Sequence, residues 1–313
     1  MLALGLDTSN YTTSAALCTS QGEIVQSRRL LPVKTGERGL RQSEAVFAHV
    51  RQLAQQVENV MKEAKEPLSC VCASVSPRDG EDSYMPVFNV GEMVGRSIAA
   101  AHHVPFYTTT HQRGHIRAAQ VDSGLQADKF LALHLSGGTT DVLLMDGESL
   151  TPLGTSMDLH AGQLVDRVGV ALGLPFPSGP HLEQLARQGS AKALVPVSMA
   201  DDTLQCHLSG AEAQLMRMIQ TGENKNDIAA EVYSILCRTV LRLLKAAAEK
   251  AGTNEILLAG GVASSRLFRE LVQERNEKRR LHLKLHFGMP EYSGDNAVGV
   301  ALIGLEKHLG GRF

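Results

Sequence analysis

Two histidines of the segment HQRGH, His111 and His115, stand four residues apart. Residues at this spacing lie on one face of a helix, so two imidazole nitrogens there could bind a metal ion together. Taken alone, the spacing favours two polar residues on an ordinary helix. A zinc peptidase would need HExxH, and Gln112 stands where its glutamate would be. The pair is therefore a candidate metal site that needs support from the rest of the chain.

Two turns rich in glycine and hydroxyl groups could bind phosphate. One lies in GLDTSNYTTS and the other in LHLSGGTTDVLL, each between two predicted strands. Glycines let backbone N–H groups approach a phosphate, and hydroxyls add donors. A plain hairpin turn would explain either turn alone, but two in corresponding places of a repeated pattern indicate a ligand site. The candidate residues are Ser9, Asn10, Ser136, Gly137, Gly138 and Thr139.

Two further segments could contact a nucleoside. In LLAGGVASSRLF a predicted strand ends at Gly260 and Gly261, and a helix begins near Ser265, with its N-terminus aimed at any ligand there. A tight strand-to-helix connection explains this junction equally well. In VDRVGVALGLPFPSGPHLEQLA, carboxylates could accept hydrogen bonds from ribose hydroxyls, although Glu183 alone resembles a solvated acid at a helix start. The candidates in that segment are Asp166, Gly179 and Glu183.

The order of elements repeats along the chain. Strands at residues 1–7, 11–18 and 24–31 precede a helix at 42–64 and alternating strands and helices, and strands at 130–136, 140–145 and 150–156 begin the second round. We predict an α/β protein of two duplicated lobes, residues 1–125 and 126–313, with a nucleotide cleft between them. A helical insertion is expected at about 180–250, and the last helix is expected to pack back on the first lobe.

Composition restricts the class of protein. The 313 residues carry a net charge of −2, so the overall positive charge typical of a dedicated nucleic-acid binder is missing. Five cysteines without a CxxC pair suit reduced thiols. No signal peptide and no apolar run of about 18 residues is found. We expect a soluble cytoplasmic protein that does not enter a membrane.

Together these motifs resemble a known family. The order HxxxH, SGG, VDRVGVALGLPFPSGP, LAGGVAS and GDNA is similar to that of the TsaD family of threonylcarbamoyl-adenosine synthases, once labelled O-sialoglycoprotein endopeptidases. This family belongs to the actin-like ATPase superfamily with its ribonuclease H-like lobes. The resemblance covers almost the entire chain. Its specificity comes from the order of the motifs, because any one of them alone would be weak evidence.

The resemblance implies roles for individual residues. His111, His115 and Asp295 match the metal-binding residues of the family. The resemblance therefore favours a metal site at HQRGH over two polar residues on an ordinary helix. Fe²⁺ is the expected ion, with Zn²⁺, Mn²⁺ or Mg²⁺ as chemical alternatives. The SGG turn matches the nucleotide or acyl-phosphate loop. Positions matching the nucleotide site, for ATP, AMP or an acyl-AMP, include Asp166 and Gly179.

The implied reaction passes a threonylcarbamoyl or carbamoyl group from an acyl-adenylate to an acceptor, N6 of adenosine 37 in tRNA for the main branch. Partner proteins of a threonylcarbamoylation complex, or a homodimer, are implied as well. A carbamoyltransferase with a non-tRNA acceptor is the second hypothesis. A non-catalytic nucleotide-binding scaffold is the third.

Several positions depart from the family pattern and indicate a divergent paralogue. Arg113 replaces the acidic residue of HMEGH, Thr139 replaces the histidine of SGGHT, and Ser265 replaces an asparagine at the nucleotide. SNYTT stands for SCDET, and Glu212 stands where FSFSGLKT has its lysine. The reversal at Glu212 weakens the case for a tRNA backbone as partner. These changes affect the expected acceptor more than the expected metal and nucleotide sites.

Overall fold

The computed structural model describes residues 1–9, 11–32, 40–80, 82–200 and 204–311. It divides the chain into two units. Unit 1 comprises Met1–Val121 together with Gly294–Phe313, and unit 2 comprises Asp122–Ser293. Unit 1 is thus built from two stretches that are far apart in the sequence. The α/β class predicted from the sequence is confirmed in both units.

In unit 1 the described strands form one five-stranded sheet in the order β3-β2-β1-β4-β5. The first three strands pair antiparallel, whereas β1, β4 and β5 run parallel. Parallel neighbours need a crossover connection, which helices supply here. The strands are β1 (Leu2–Thr8), β2 (Thr12–Thr19), β3 (Ile24–Leu30), β4 (Leu68–Ser76) and β5 (Phe106–Thr110).

Helices cover β1 on both faces. Leu4 and Leu6 pack in an apolar cluster with Leu53 of one helix and Val90 of the next. On the other face a Cβ at Gly5 would lie 2.4 Å from the backbone nitrogen of Ala301 in the closing helix. The fully buried β1 sequence follows from this double cover. The helices of unit 1 are α1 (Gln42–Met61), α2 (Phe88–His102), α3 (His111–Gln120) and the closing helix α9 (Val298–His308).

Unit 2 repeats this topology. Its described strands form a sheet in the order β12-β11-β6-β7-β8-β10-β9. Strands β8, β7 and β6 pair antiparallel, and β6, β11 and β12 pair parallel, as in unit 1. The predicted duplication of the lobes is therefore confirmed. The strands are β6 (Lys129–Leu135), β7 (Thr140–Asp146), β8 (Ser149–Ser156), β9 (Ser198–Met199), β10 (Leu204–His207), β11 (Glu255–Ala259) and β12 (Lys284–Phe287).

The apolar core of unit 2 surrounds its longest helix, α7, which contributes Tyr233, Leu236 and Leu244. The short strands β9 and β10 were not predicted, because elements of two and four residues leave little periodicity to detect. Among the described helices of the whole chain, none combines the length and the apolar character needed to cross a bilayer. The helices of unit 2 are α4 (Ala161–Ala171), α5 (Gly179–Ala186), α6 (Ser209–Gln220), α7 (Lys225–Ala251) and α8 (Arg266–Lys278).

Candidate metal and nucleotide sites

Helix α3 begins with the histidine pair. Thr110 is extended, and its hydroxyl accepts a hydrogen bond from the N–H of Arg113 at 3.3 Å, which caps the first turn. His111 and His115 then lie one turn apart on the same face. Their Nε2 atoms are 3.0 Å apart, and their rings meet edge to face with centroids 4.4 Å apart.

The turn before α9 brings Asp295 to this pair. Its Oδ1 lies 3.2 Å from Nε2 of His115 and 3.7 Å from Nε2 of His111. Its Oδ2 accepts a hydrogen bond from the hydroxyl of Ser9 at 3.0 Å. One donor atom from each of the three residues lies within 4.8 Å of the others. The three residues that the sequence suggested as metal ligands thus converge within unit 1.

Glycines allow this convergence. A Cβ at Gly299 of α9 would lie only 1.8 Å from the carbonyl oxygen of Gly114 in α3, so a side chain at this position would collide with the backbone. The same two helices are joined by Arg117, whose guanidinium donates to Glu306 at 2.7 and 2.8 Å. Close contact between α3 and α9 therefore sets the distance between the histidines and Asp295.

The three donor atoms fit a divalent cation. Ligand atoms bound to one ion at about 2.1 Å lie about 3.0 Å apart in octahedral and about 3.4 Å apart in tetrahedral geometry. The separations of 3.0, 3.2 and 3.7 Å are close to these values. Two Nε2 lone pairs facing each other at 3.0 Å also repel unless a proton or a cation lies between them. Two nitrogens and one carboxylate oxygen suit Fe²⁺, Zn²⁺ or Mn²⁺.

The electrostatics agree with a site for positive charge. Burial lowers the pKa of His111, but the charge and hydrogen bond of Asp7 and the charge of Asp295 outweigh it and raise this pKa to about 9. Burial raises the pKa of Asp295, yet the hydrogen bond from His115 and the charges of both histidines hold it well below its usual range. Without a cation, His111 therefore keeps its second ring proton at neutral pH, and a bound cation would displace that proton.

One close partner of the histidines was not predicted from the sequence. Asp7 belongs to the candidate phosphate-binding segment GLDTSNYTTS, and its two carboxylate oxygens lie 3.0 and 3.1 Å from Nδ1 of His111. Asp7 is fully buried at the end of β1. The only signal available in the sequence was an acid near the end of a buried strand.

A second candidate site lies within unit 2. It is a cavity of about 330 Å³, at the lower end of the range of small-molecule sites. The turn after β6 contributes Gly137, whose N–H has no partner within the described part of the chain. The other lining residues come from the α4–α5 segment, from α7 and from the turn before α8: Gly162, Val165, Asp166, Pro177, Gly179, Pro180, Glu183, Tyr233, Gly261, Val262, Ser264 and Ser265.

Acidic groups face this cavity with defined partners. Asp166 accepts a hydrogen bond from the N–H of Ser178 at 2.7 Å, and burial raises the pKa of Asp166 although that hydrogen bond opposes it. Glu183 accepts an N–H from the first turn of α8 at 2.9 Å. The hydroxyl of Tyr233 donates to the carbonyl of Gly179 at 3.3 Å, and burial raises its pKa. The lining thus combines apolar walls with hydrogen-bond acceptors suited to ribose hydroxyls.

The sequence of residues 22–302 matches a family profile described as TsaD, tRNA N6-adenosine threonylcarbamoyltransferase. The chain belongs to the TsaD family. This membership makes it an enzyme of the transferase kind, and the resemblance stated from its motifs is confirmed. The match spans most of both units.

Relatives of that name align over most of their length. A tRNA N6-adenosine threonylcarbamoyltransferase of Methanopyrus kandleri is 27% identical over 98% of this chain and 88% of the relative. One of Oenococcus oeni is 28% identical over 98% of this chain and 91% of the relative. A protein of Methanocaldococcus jannaschii named "probable bifunctional tRNA threonylcarbamoyladenosine biosynthesis protein" is 26% identical over the whole of this chain, which spans 56% of that relative.

Solved structures support the actin-like fold of this chain. HypF of T. kodakarensis aligns with a TM-score of 0.64 and 15% identity over 98% of this chain and 47% of HypF. A ROK family glucokinase of Streptomyces griseus aligns with a TM-score of 0.58 and 12% identity over 98% of this chain and all of the glucokinase. At these identities the similarity establishes the fold alone.

The predicted nucleotide residues fall into three groups. Gly137, Asp166, Gly179, Glu183, Gly261 and Ser265 line the cavity of unit 2. Ser136, Gly138, Thr139 and Gly260 lie on the same turns, outside the set that lines it. Ser9 is in unit 1, where its hydroxyl bonds to Asp295, and Asn10 lies outside the described residues. Nucleotide binding by these residues stays a prediction. The lining residues that sequence analysis did not single out include Val165, Tyr233 and Ser264.

Two charges that depart from the TsaD pattern have partners in the structure. Arg113 makes a two-pronged contact with Asp79, with Nε 3.0 Å from both oxygens and Nη2 2.6 Å from one. Glu212 lies 3.2 Å from the guanidinium of Arg167. Each replacement is therefore accompanied by an opposite charge on a neighbouring element.

A third departure, Ser265, caps helix α8, because its hydroxyl accepts a hydrogen bond from the N–H of Phe268 at 3.2 Å. Ser265 therefore stabilises the N-terminus of α8 at the edge of the cavity.

Proposed function

We propose that this chain is a metal-dependent transferase that moves a threonylcarbamoyl group from an acyl-adenylate to N6 of adenosine 37 in tRNA. The observation that carries the proposal is the convergence of His111, His115 and Asp295 in a chain of the TsaD family. Three donors of this kind, two on helix α3 and one in the turn before α9, suit a catalytic ion better than a structural one, because a structural zinc site usually has four protein ligands.

The proposed cation is Fe²⁺, with Zn²⁺, Mn²⁺ and Mg²⁺ as alternatives, because two imidazoles and one carboxylate form the facial set that Fe²⁺ accepts with open positions. When bound, the ion would supply Lewis-acid polarisation of a carbonyl oxygen. The protein's own part is to hold the ligands. Ser9 fixes one oxygen of Asp295, so that the other faces the histidines.

The proposed nucleotide site is the cavity of unit 2. Its volume suits part of a nucleotide, and Asp166 and Glu183 offer carboxylate oxygens to ribose hydroxyls. The N–H of Gly137 is a donor for a phosphate or a developing oxyanion. Burial raises the pKa of Asp166, so a hydrogen bond from a ribose hydroxyl would stabilise its ionised form. ATP, AMP and the AMP part of an acyl-adenylate share the groups that these residues would bind.

A second candidate is a carbamoyltransferase with a non-tRNA acceptor. Glu212, which stands where the family has a lysine, pairs with Arg167 at 3.2 Å. The substitution removes the positive charge of the family's lysine, and Glu212 also neutralises the charge of Arg167. Both effects weaken attraction to an RNA backbone. The net charge of −2 agrees with this candidate. The third hypothesis, a nucleotide-binding scaffold, gives no reason for two histidines and an aspartate to converge.

The proposal also includes partners and location. Transfer from an acyl-adenylate requires an enzyme that makes it, so a partner protein of a threonylcarbamoylation complex is expected, or a homodimer that receives the adenylate from solution. The proposed location is the cytoplasm, where tRNA and ATP are available.

The test is a reconstituted transfer reaction. The purified full chain loaded with Fe²⁺ is incubated with bicarbonate, threonine, ATP, an acyl-adenylate-forming enzyme and unmodified tRNA, and the nucleosides are analysed by mass spectrometry. We expect the wild type to form threonylcarbamoyl-adenosine and His111→Ala to lose this activity. His102→Ala removes an exposed histidine of the same unit and should retain it.

The alternatives predict different products. Formation of a carbamoylated small molecule or protein with unmodified tRNA left intact would favour the second candidate. Nucleotide binding without transfer to any acceptor would favour the scaffold and contradict the proposal.

A further inference from the structure

The contact between Asp7 and His111 has a geometry that a ligand-orienting carboxylate would have. Both oxygens of Asp7 lie within 3.1 Å of Nδ1 of His111. An ionised carboxylate only accepts hydrogen bonds, so the hydrogen-bond network assigns a proton to Nδ1. When no second proton is present, the lone pair of this imidazole is then on Nε2, the atom that faces His115 and Asp295.

Asp7 is itself held in place. It lies at the end of β1, paired in register with Ser14 of β2, and its side chain is fully buried. The hydroxyl of Ser74, on the neighbouring strand β4, donates to Oδ1 of Asp7. The hydroxyl of Ser14 donates to the backbone carbonyl of Asp7 at 3.2 Å. Two strands of a buried sheet therefore fix the carboxylate that contacts the imidazole.

A buried carboxylate is costly unless positive charge or strong donors compensate it. His111 is the imidazole that Asp7 contacts, and in turn His111 faces the candidate cation site. Asp295 has the corresponding arrangement, because Ser9 binds the oxygen that points away from the histidines. Ligands of metal ions in proteins are usually oriented by such outer partners, and loss of one weakens metal binding about 10- to 100-fold.

We propose that Asp7 is a positioning residue of the cation site, which holds the imidazole of His111 with Nε2 directed at the ion. The inference rests on the cation site of the proposed function, and it is independent of which acceptor receives the transferred group. It assigns Asp7 to the orientation of a ligand in unit 1.

The experiment compares cation affinities of stripped full-length protein. Dissociation constants for Zn²⁺ are measured by competition with a fluorescent chelator for the wild type, Asp7→Asn and Ser74→Ala. We expect Asp7→Asn to weaken Zn²⁺ binding about 10- to 100-fold, because an amide can also donate to Nδ1 and so place the imidazole proton on Nε2. Ser74→Ala leaves the carboxylate and should weaken binding less.

A matched control separates positioning from a structural role. Glu231→Gln alters another acid, 1% exposed, but in unit 2. If Asp7 only stabilised the fold, urea unfolding of the stripped protein would change in both variants and the Zn²⁺ affinity of folded Asp7→Asn would stay within about twofold of the wild type. That result would overturn the positioning role and leave the cation site intact. Absence of Zn²⁺ binding by the wild type would overturn both.

One measurement needs no substitution and decides the question even if Asp7→Asn does not fold. In the ¹⁵N spectrum of Zn²⁺-loaded wild type, we expect the proton of His111 on Nδ1, hydrogen-bonded, and Nε2 bound to the ion. Coordination of the ion through Nδ1 would contradict the proposal.

Discussion

Substitution of Gly299 by alanine tests whether the contact between α3 and α9 sets the metal site. The added Cβ would lie 1.8 Å from the carbonyl oxygen of Gly114, 2.7 Å from its carbonyl carbon and 2.8 Å from the nitrogen of Ala118. Ordinary contact begins at 3.4 Å, so the helices must separate by about 1.6 Å, the difference between 3.4 and 1.8 Å. Backbone atoms on both sides leave no flexible side chain to give way.

The consequence for the ligands follows from their positions. Asp295 precedes Gly299 by four residues, and its Oδ1 lies 3.2 Å from Nε2 of His115. Metal–ligand distances tolerate about 0.2 Å, so a separation of about 1.6 Å removes one ligand from any shared ion. Overpacking costs about 1–3 kcal/mol, and the helix propensity of alanine returns at most about 1 kcal/mol. Because the clash is with backbone, the upper cost of about 3 kcal/mol less about 1 kcal/mol applies, and we expect Gly299→Ala to lose about 2 kcal/mol of unfolding free energy and most of its cation affinity.

Urea unfolding with chelator present and Zn²⁺ competition measure the two effects separately. Gly210→Ala is the matched control, because Gly210 is also helical and its added Cβ would meet nothing within 4 Å. The control should be as stable as the wild type or slightly more stable, with unchanged affinity. If Gly299→Ala unfolds and binds Zn²⁺ like the wild type, the contact between α3 and α9 does not set the geometry of the site.

Two further results are expected. In metal-free protein the pKa of folded His111 is raised from 6.5 to about 9. The contribution of His111 to the unfolding free energy is therefore complete below pH 6.5 and is lost as the pH rises through 9. Unfolding free energies should fall by about 3 kcal/mol over that window in chelator, and His111→Gln should flatten the slope; an equal slope in both proteins would contradict this origin. Glu231→Ala removes the acid that bonds the N–H of Leu194 at 3.1 Å and lies 4.0 Å from Arg238, so urea unfolding should show a loss of about 3 kcal/mol. A loss under about 1 kcal/mol would mean that Arg238 needs no counter-charge there.

Much of the fold could be predicted from the sequence, because buried strands and amphipathic helices leave periodic signals and the same order occurs twice. The pair His111 and His115 was visible for a similar reason, since a helix fixes neighbours four residues apart. Convergence with Asp295 was implied by family resemblance, not by spacing. The resemblance also marked Asp166 and Gly179, which the structure brings to one cavity.

What the sequence could not supply depends on register and rotation. Asp7 and His111 are 104 residues apart in the sequence. Their contact requires the end of β1 and the start of α3 to lie at the same edge of the sheet. Tyr233 lies in the middle of α7, and only the rotation of that helix decides that it lines the cavity. Arg113 pairs with Asp79, which lies in a different segment before α2, and spacing in the sequence could not show this pairing.

The discontinuity of unit 1 has a consequence during translation. Residues 122–293 leave the ribosome as one continuous stretch and can collapse around α7 before α9 has been made. Strand β1 is made before α9, and one of its faces stays uncovered until α9 has been made and packs against it. Asp295 is made after residues 122–293, so a nascent chain acquires the third candidate ligand only once that stretch has been made. A chain stalled before Asp295 would therefore expose an apolar face of the sheet to chaperones and would lack one of the three candidate ligands.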